Sequence, residues 1–190
     1  QTTADLAARA DALSRAYRDR GVTFALSGQE RPFPLDLVPR VLGAEEWRRI
    51  EAGIRQRVRA LEAFLADVYG RGEVFADGVV PRRLVHSSPH FHRQVHGIEP
   101  AGGVRIHVSG VDVIRDDQGE FRVLEDNLRS PSGVSYVIEN RRVMARVFPD
   151  LFGQHAVAPV DDYPRHLLHA LRSTAPARSA EPRIVVLTPG

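Results

Sequence analysis

Cysteine is absent from the 190 residues, and so is lysine. Without cysteine there is no disulfide framework, thiol nucleophile or cysteine-based zinc site. All 26 basic residues are therefore arginine, which rules out a Schiff-base lysine or a Walker-type phosphate-gripping lysine in this stretch. No apolar run approaches the ~20 residues of a membrane-spanning helix, and the opening QTTADLAARADAL carries no secretory pattern. A soluble cytoplasmic protein with no membrane partner is the expectation. The formal net charge is only +2, and the arginines are interspersed with acids rather than gathered in a stripe, so nucleic acid is not an expected partner.

What is present reads as alternating helices and short strands. Thr3 to Arg20 is an amphipathic helix with Leu6, Ala10, Leu13 and Tyr17 on one face. Val22 to Arg40 holds three prolines and suits an extended segment with a short strand at Val22–Leu26. Ala44 to Tyr69 is the longest helix: Trp47, Ile50, Ile54, Val58, Leu61, Leu65 and Val68 recur at three- and four-residue steps, and Trp47 is expected as a core anchor. Val79 to Val85 suits a short helix or strand. His90, His92 and His96 follow closely together, yet their spacing matches no helix-borne zinc motif, so strand ends and packing are the expected roles. A histidine-metal hydrolase is the corresponding alternative. Arg93, in the same run, offers a planar fork suited to carboxylate or phosphate.

The chemistry concentrates in GVRIHVSGVDVIRDDQGEFRVLEDNLRSPSGVSYVIENRR, residues 103–142. Val104 to Ile114 and Phe121 to Leu124 are rich in β-branched and aromatic residues, and Asp116 to Glu120 between them are turn formers. A two-residue turn at Gln118-Gly119 sets Asp112 opposite Glu125 and Asn127 opposite Gly110. Side chains alternate along a strand, so Asp112, Glu125 and Asn127 then share one face. A three-residue loop would break that sharing, because a one-residue slip turns a strand over. Two carboxylates on opposed residues repel unless a cation lies between them. Magnesium takes such hard oxygen ligands, and Asn127 can add an amide oxygen. Gly110 is expected to leave open space for a ligand. The same spacing also fits an ordinary solvated hairpin face. Against that, Val111, Val113, Ile114, Val123 and Leu124 place apolar residues on both faces, as in a covered sheet.

Beyond the hairpin, Ser132 or Ser135 is expected to cap a helix to about Val147, traced by Val137, Ile138, Arg141, Met144, Ala145 and Phe148 and ended by Pro149. Its free N–H groups suit an anion, so Arg129, Ser130, Ser132 and Gly133 gather as candidate anion contacts. Asp161 to Ser173 is a further helix with Leu167, Leu168 and Leu171 inward. APARSAEP has linker composition, and RIVVLTPG reads as a buried parallel strand entering a new α/β unit. The expected organisation is a helical region plus metal-binding part over 1–175, a linker over 176–182, and a first strand over 183–190. The chain is read as the front portion of a longer protein.

Three blocks carry a family likeness: Ser88-Pro89-His90-Phe91-His92-Arg93-Gln94-Val95-His96-Gly97, Gly110-Val111-Asp112-Val113, and Val123 to Arg129 with Ser132 to Arg141. Together with Asp112 and Glu125-x-Asn127, they resemble the circularly permuted ATP-grasp family, similar to the synthetase domain of glutathionylspermidine synthetase. The resemblance implies an α/β (α+β) fold in which an ATP-grasp-like metal-binding hairpin and sheet pack with helices. It implies an ADP-forming carboxylate–amine ligase acting through an acyl phosphate, with ATP as substrate and Mg2+ as cofactor. Asp112 would hold one magnesium, Glu125 both, and Asn127 the second. Arg129, Ser130, Ser132 and Arg93 would meet substrate, and Arg141 and Gly133 anionic groups. Permutation places the nucleotide-gripping lysines beyond Gly190, in the remainder of the protein's own chain. A non-catalytic binding or assembly module on the same fold is the alternative from another class.

Overall fold

The computed structural model describes residues 3–129, 131–176 and 181–185. The first elements are helix α1 (Thr3–Asp19), strands β1 (Thr23–Leu26) and β2 (Gln29–Pro32), and helices α2 (Ala44–Val68), α3 (Glu73–Ala76) and α4 (Arg82–His86). Strands β3 (Gly110–Arg115) and β4 (Phe121–Asn127) follow, then helices α5 (Val134–Val147), α6 (Pro149–Gln154) and α7 (Tyr163–Ser173). The class is α+β, with the described strands in two separate antiparallel pairs, β1–β2 and β3–β4. The chain divides into two compact units, Gln1–Leu42 with Ser132–Pro164, and Gly43–Pro131 with Arg165–Gly190.

The first unit has a closed apolar core. The stripe on α1 delivers Leu13 and Tyr17 to it, and α5 delivers Val143 and Met144, with Phe148 beyond the helix end. Tyr17 and Val143 are completely buried, each burial contributing roughly 1.5–3 kcal/mol. On α5 Val143 and Met144 are buried and Tyr136 and Asn140 half-buried, whereas Val137 is exposed, so the helix sits rotated from the stripe the sequence suggests. The cause is polar. Tyr17 donates its hydroxyl to Asn140 Oδ1 at 2.6 Å, and Tyr136 donates to the Thr23 carbonyl at 2.9 Å while stacking on Phe33. Burial, with the nearby Glu139 charge, pushes the Tyr17 pKa up to about 12. Glu139 accepts from Arg20 at 2.6 Å and from Arg142; burial raises its pKa, but these hydrogen bonds outweigh it and hold the carboxyl below its usual range.

The segment after α1 is a hairpin rather than one strand with an extended tail. Ser27 and Gly28 both take positive φ, 52° and 77°, the pair of values a two-residue type I′ turn requires. The sequence also misplaces the α5 cap. Gly133, with φ 98°, precedes the first helical residue, and no serine side chain caps it. Pro149 does not simply end α5 but occupies the first turn of α6, where its missing N–H costs nothing.

In the second unit α2 runs as its periodicity dictates, opened by Gly43 and Glu46, whose Oε2 accepts the Gly43 N–H at 3.0 Å. Its apolar face is only partly covered by the described residues. Val68 is buried, but Trp47 is 54% exposed, so it is not the core anchor expected of it. Ion pairs tie α2 to the β3–β4 hairpin: Arg49–Glu120 at 3.1 Å, Arg57–Asp126 at 2.6 Å and Arg115–Glu46 at 2.7 Å. Between helix and hairpin a gap of about 180 Å³ remains, lined partly by Ile50, Ile54, Val113 and Val123. Glu62 also replaces a strand neighbour. Its carboxylate accepts the backbone N–H groups of Arg105 (2.9 Å) and Ile106 (2.8 Å), so β3 starts at Gly110 rather than at Val104.

At the C-terminal end α7 matches the expected helix to within two residues, with Leu167 and Leu171 half-covered and Leu168 exposed. Most of the linker, 177–180, and most of the expected entry strand, 186–190, lie outside the described residues; Arg183 to Val185 form no strand with the others.

Candidate metal and substrate site

The hairpin that carries the candidate ligands pairs Gly110 with Asn127, Val111 with Asp126, and Asp112 with Glu125, the expected partners at the site. The turn is not the expected one. Asp116 N–H donates to the Glu120 carbonyl at 2.9 Å, enclosing a three-residue loop, Asp117 to Gly119, with Gly119 at φ 80°. Nearer the turn the partners are Val113 with Val123, Ile114 with Arg122 and Arg115 with Phe121. The one-residue slip is absorbed between Asp112 and Val113, where Leu124 has no partner and bulges outward, 67% exposed. A bulge cancels what the longer loop would have overturned.

The two faces of the hairpin now separate cleanly. Asp126 turns toward α2, where Arg57 grips it with Nε at 2.7 Å and Nη2 at 2.6 Å, and this hydrogen bonding holds the Asp126 carboxyl below its usual range. Alternation then points Glu125 and Asn127 away from α2. Asn127 Nδ2 donates to Glu125 Oε1 at 2.9 Å, so the two side chains meet on that face. Asp112, directly opposite Glu125, completes it, and all three are exposed. Opposed residues have Cβ atoms about 4.5–5.5 Å apart, within reach of one cation. Two carboxylates and an amide whose oxygen is not engaged by Glu125 form a hard-oxygen donor set, which fits a magnesium ion completed by water or phosphate oxygens. Among the described residues no three or more histidine, aspartate or glutamate side chains gather as a metal cluster.

Gly110 does not open space here. A Cβ at this position would lie 2.7 Å from Pro131 Cβ, so glycine is needed for the chain leaving β4 to fold back against β3. The expectation of an open approach is corrected: Pro131 fills it.

The other candidates scatter. Arg129 is exposed, as is Arg93 on a short 3-10 turn, Arg93–Val95. Ser130 lies outside the described residues. Ser132, Gly133 and Arg141 belong to the first unit, where Arg141 donates to the Ala158 carbonyl at 2.7 Å and stands over the Phe152 ring. Its guanidinium is thus used in holding α5 to the segment after α6.

Residues from separate segments gather near Arg129. A cleft of about 550 Å³ has Leu65, Val108, Leu128 and Leu171 in its walls, and Tyr69, His90, His92, Arg105, His107 and Arg129 among its polar lining. His96 is not part of it, so the three histidines that sequence proximity suggested as a metal set do not converge. Beside the cleft, Tyr69, Phe91 and His86 stack in turn, with centroids 5.2 Å and 4.5 Å apart, and Phe75 meets His86 edge-on. Desolvation in this pile, then the charges of Arg82 and Arg93, lower the His86 pKa.

The α+β fold thus sets two carboxylates and a carboxamide on one hairpin face. Over residues 39–190 the chain matches a family described as a circularly permuted ATP-grasp, and it belongs to that family. It is 68% identical over 186 residues to an uncharacterized protein of Mycobacterium tuberculosis, covering 98% of this chain and 34% of the other. An uncharacterized protein of Synechocystis is 49% identical over 174 residues, 90% of this chain and 36% of the other. A protein of Frankia casuarinae named "Putative glutamate--cysteine ligase 2-2" is 43% identical over 175 residues, 90% of this chain and 20% of the other. The chain therefore spans about a third of the length of the more similar curated relatives. No helix among the described residues is long and apolar enough to cross a membrane.

Proposed function

We propose that the protein containing this chain is an ADP-forming carboxylate–amine ligase, and that this chain supplies the magnesium side of its site. The observation that carries the reading is the shared face of Asp112, Glu125 and Asn127 in a chain of the ATP-grasp family. Asp112 and Glu125 provide the charge for bound magnesium and Asn127 a neutral oxygen. When bound, magnesium neutralises the phosphate charge of ATP, the main requirement of phosphoryl transfer. A carboxylate oxygen of the acid attacks the γ-phosphorus, and the bond to ADP breaks. The amine nitrogen then attacks the acyl carbon, loses a proton, and phosphate leaves. Arg129, Ser130, Ser132 and Arg93 serve substrate binding. The nucleotide-gripping groups come from the remainder of the longer chain, beyond Gly190. The reading keeps the likeness to the synthetase domain of glutathionylspermidine synthetase and a cytoplasmic location. The name of the Frankia relative adds an amino-acid acid and an amino-acid amine as the first substrates to try.

In the full-length protein, magnesium-dependent ADP release, screened over amino-acid pairs beginning with glutamate and cysteine, is expected to be abolished by Glu125→Ala. Full turnover in that variant would remove the assignment.

A further inference from the structure

The cleft beside Arg129 has a one-sided polar lining. It draws Tyr69 from the end of α2, His90 and His92 from the segment after α4, Arg105 and His107 from the run into β3, and Arg129 from the exit of β4. None of the described side chains lining it is acidic. Arg105 is built in: its side chain is only 15% exposed, and it pairs with Glu99 at 3.2 Å and Glu62 at 3.6 Å, both outside the lining. Arg129 is exposed, and its fork has no partner among the described residues. Tyr69 Oη accepts the His92 backbone N–H at 3.3 Å, which fixes the hydroxyl and leaves its own proton to donate. An imidazole can always offer one N–H, and an arginine offers a bidentate pair, so the lining is made of donors.

The size and walls narrow the ligand. At about 550 Å³ the cleft falls within the range of small-molecule sites and exceeds what an inorganic anion needs. Leu65, Val108, Leu128 and Leu171 supply an apolar surface that phosphate would not use but a carbon stem would. Arg129 is two residues past Asn127, so their Cα atoms are within about 7 Å of each other along the chain. We propose that this cleft binds the carboxylate end of a small organic acid, whose second carboxylate is the one presented at the Asp112–Glu125–Asn127 face. The latter half rests on the ligase reading; the anion site itself does not.

Titration calorimetry of the full-length protein with glutarate, without ATP or magnesium, tests it. Saturable binding is expected, weakened by about tenfold or more in Arg129→Gln, the worth of one charge-assisted hydrogen bond. A His90→Gln/His92→Gln variant is expected to weaken it as well, and both substitutions are at exposed positions that leave the fold intact. Absence of saturable binding at millimolar glutarate, unchanged affinity in both lining variants, or inorganic phosphate binding as tightly as glutarate would overturn the site. Glutarate binding by a protein that releases no ADP under any condition would support the cleft and remove the ligase reading.

Discussion

Gly110→Ala is a substitution of one methyl group at a position opposite Asn127, and its cost can be worked from the geometry. The added carbon would lie 2.7 Å from Pro131 Cβ and 3.6 Å from Asn127 Cβ. Carbon atoms prefer about 3.5–4.0 Å, so the Asn127 contact is acceptable and the Pro131 contact must open by about 1 Å. Pro131 Cβ is a ring atom fixed to the backbone, with no rotamer to escape into. Either the chain after β4 moves or the β3–β4 ladder shears. Overpacking of this kind costs about 1–3 kcal/mol. Gly110 is not among the glycines with positive φ, so space alone sets the requirement.

Urea unfolding of the full-length protein measures the cost, and a double-mutant cycle with Pro131→Gly isolates it. Removing the proline ring should make the Gly110→Ala cost largely disappear, giving a coupling of about 1 kcal/mol or more between neighbours in contact. ATP turnover should fall in Gly110→Ala and recover in part in the double variant. A Gly110→Ala protein within about 0.5 kcal/mol of the parent, or strict additivity in the cycle, would refute the packing argument.

Two further outcomes test the surrounding framework. Glu62→Ala leaves the N–H groups of Arg105 and Ile106 without their acceptor and should destabilise the full-length protein by about 2 kcal/mol, with Glu62→Gln losing less, read by urea midpoint. Tyr17 has a folded pKa of about 12, above the ordinary value near 10, so the stability it contributes is complete below pH 10 and is lost as pH rises through 12. The loss across that window is about 1–3 kcal/mol, and thermal melts of Tyr17→Phe should lack this component of the alkaline decline.

How much of this was legible follows from the range of each interaction. Helix α2 was readable because its apolar repeat is local and long, and α1 for the same reason. The covering of α2 was not readable: a stripe shows that a face is apolar, not what lies on it, and Trp47 ended exposed among the described residues. The β1–β2 hairpin was marked by Ser27-Gly28, but β2 ends in Pro32, and a proline that cannot donate to a ladder speaks against a strand. The pairing of Asp112 with Glu125 is the expected one, but the two-residue turn from which it was read does not form. Glu62 serving backbone amides 43 and 44 residues away, or Arg57 reaching Asp126 across 69, leaves no mark in a local pattern. Nor do Tyr69, Arg105 and His107, which enter one cleft from separate segments.

The bulge at Leu124 explains how an incorrect turn led to correct site partners. At the turn, Asp116 accepts from the Gln118 N–H (3.1 Å), the Glu120 N–H (2.8 Å) and Arg122 Nε (2.8 Å), a local network that fixes a three-residue loop. That loop sets Phe121 and Val123 on the α2 side, where they line the gap with Val113. Further along, the Arg57–Asp126 pair requires Asp126 on the same side. In an unbroken strand, Val123 and Asp126 would face opposite ways, being an odd number of residues apart. The two demands conflict by one residue, and the bulge resolves the conflict where Leu124 can stand in solvent. Its position matters for the site: beyond Asn127, the same bulge would leave Asp112 opposite Leu124, whereas on the turn side of Glu125 it keeps the pair. The register of the candidate ligands is therefore fixed by the hold of α2 on Asp126, not by the turn.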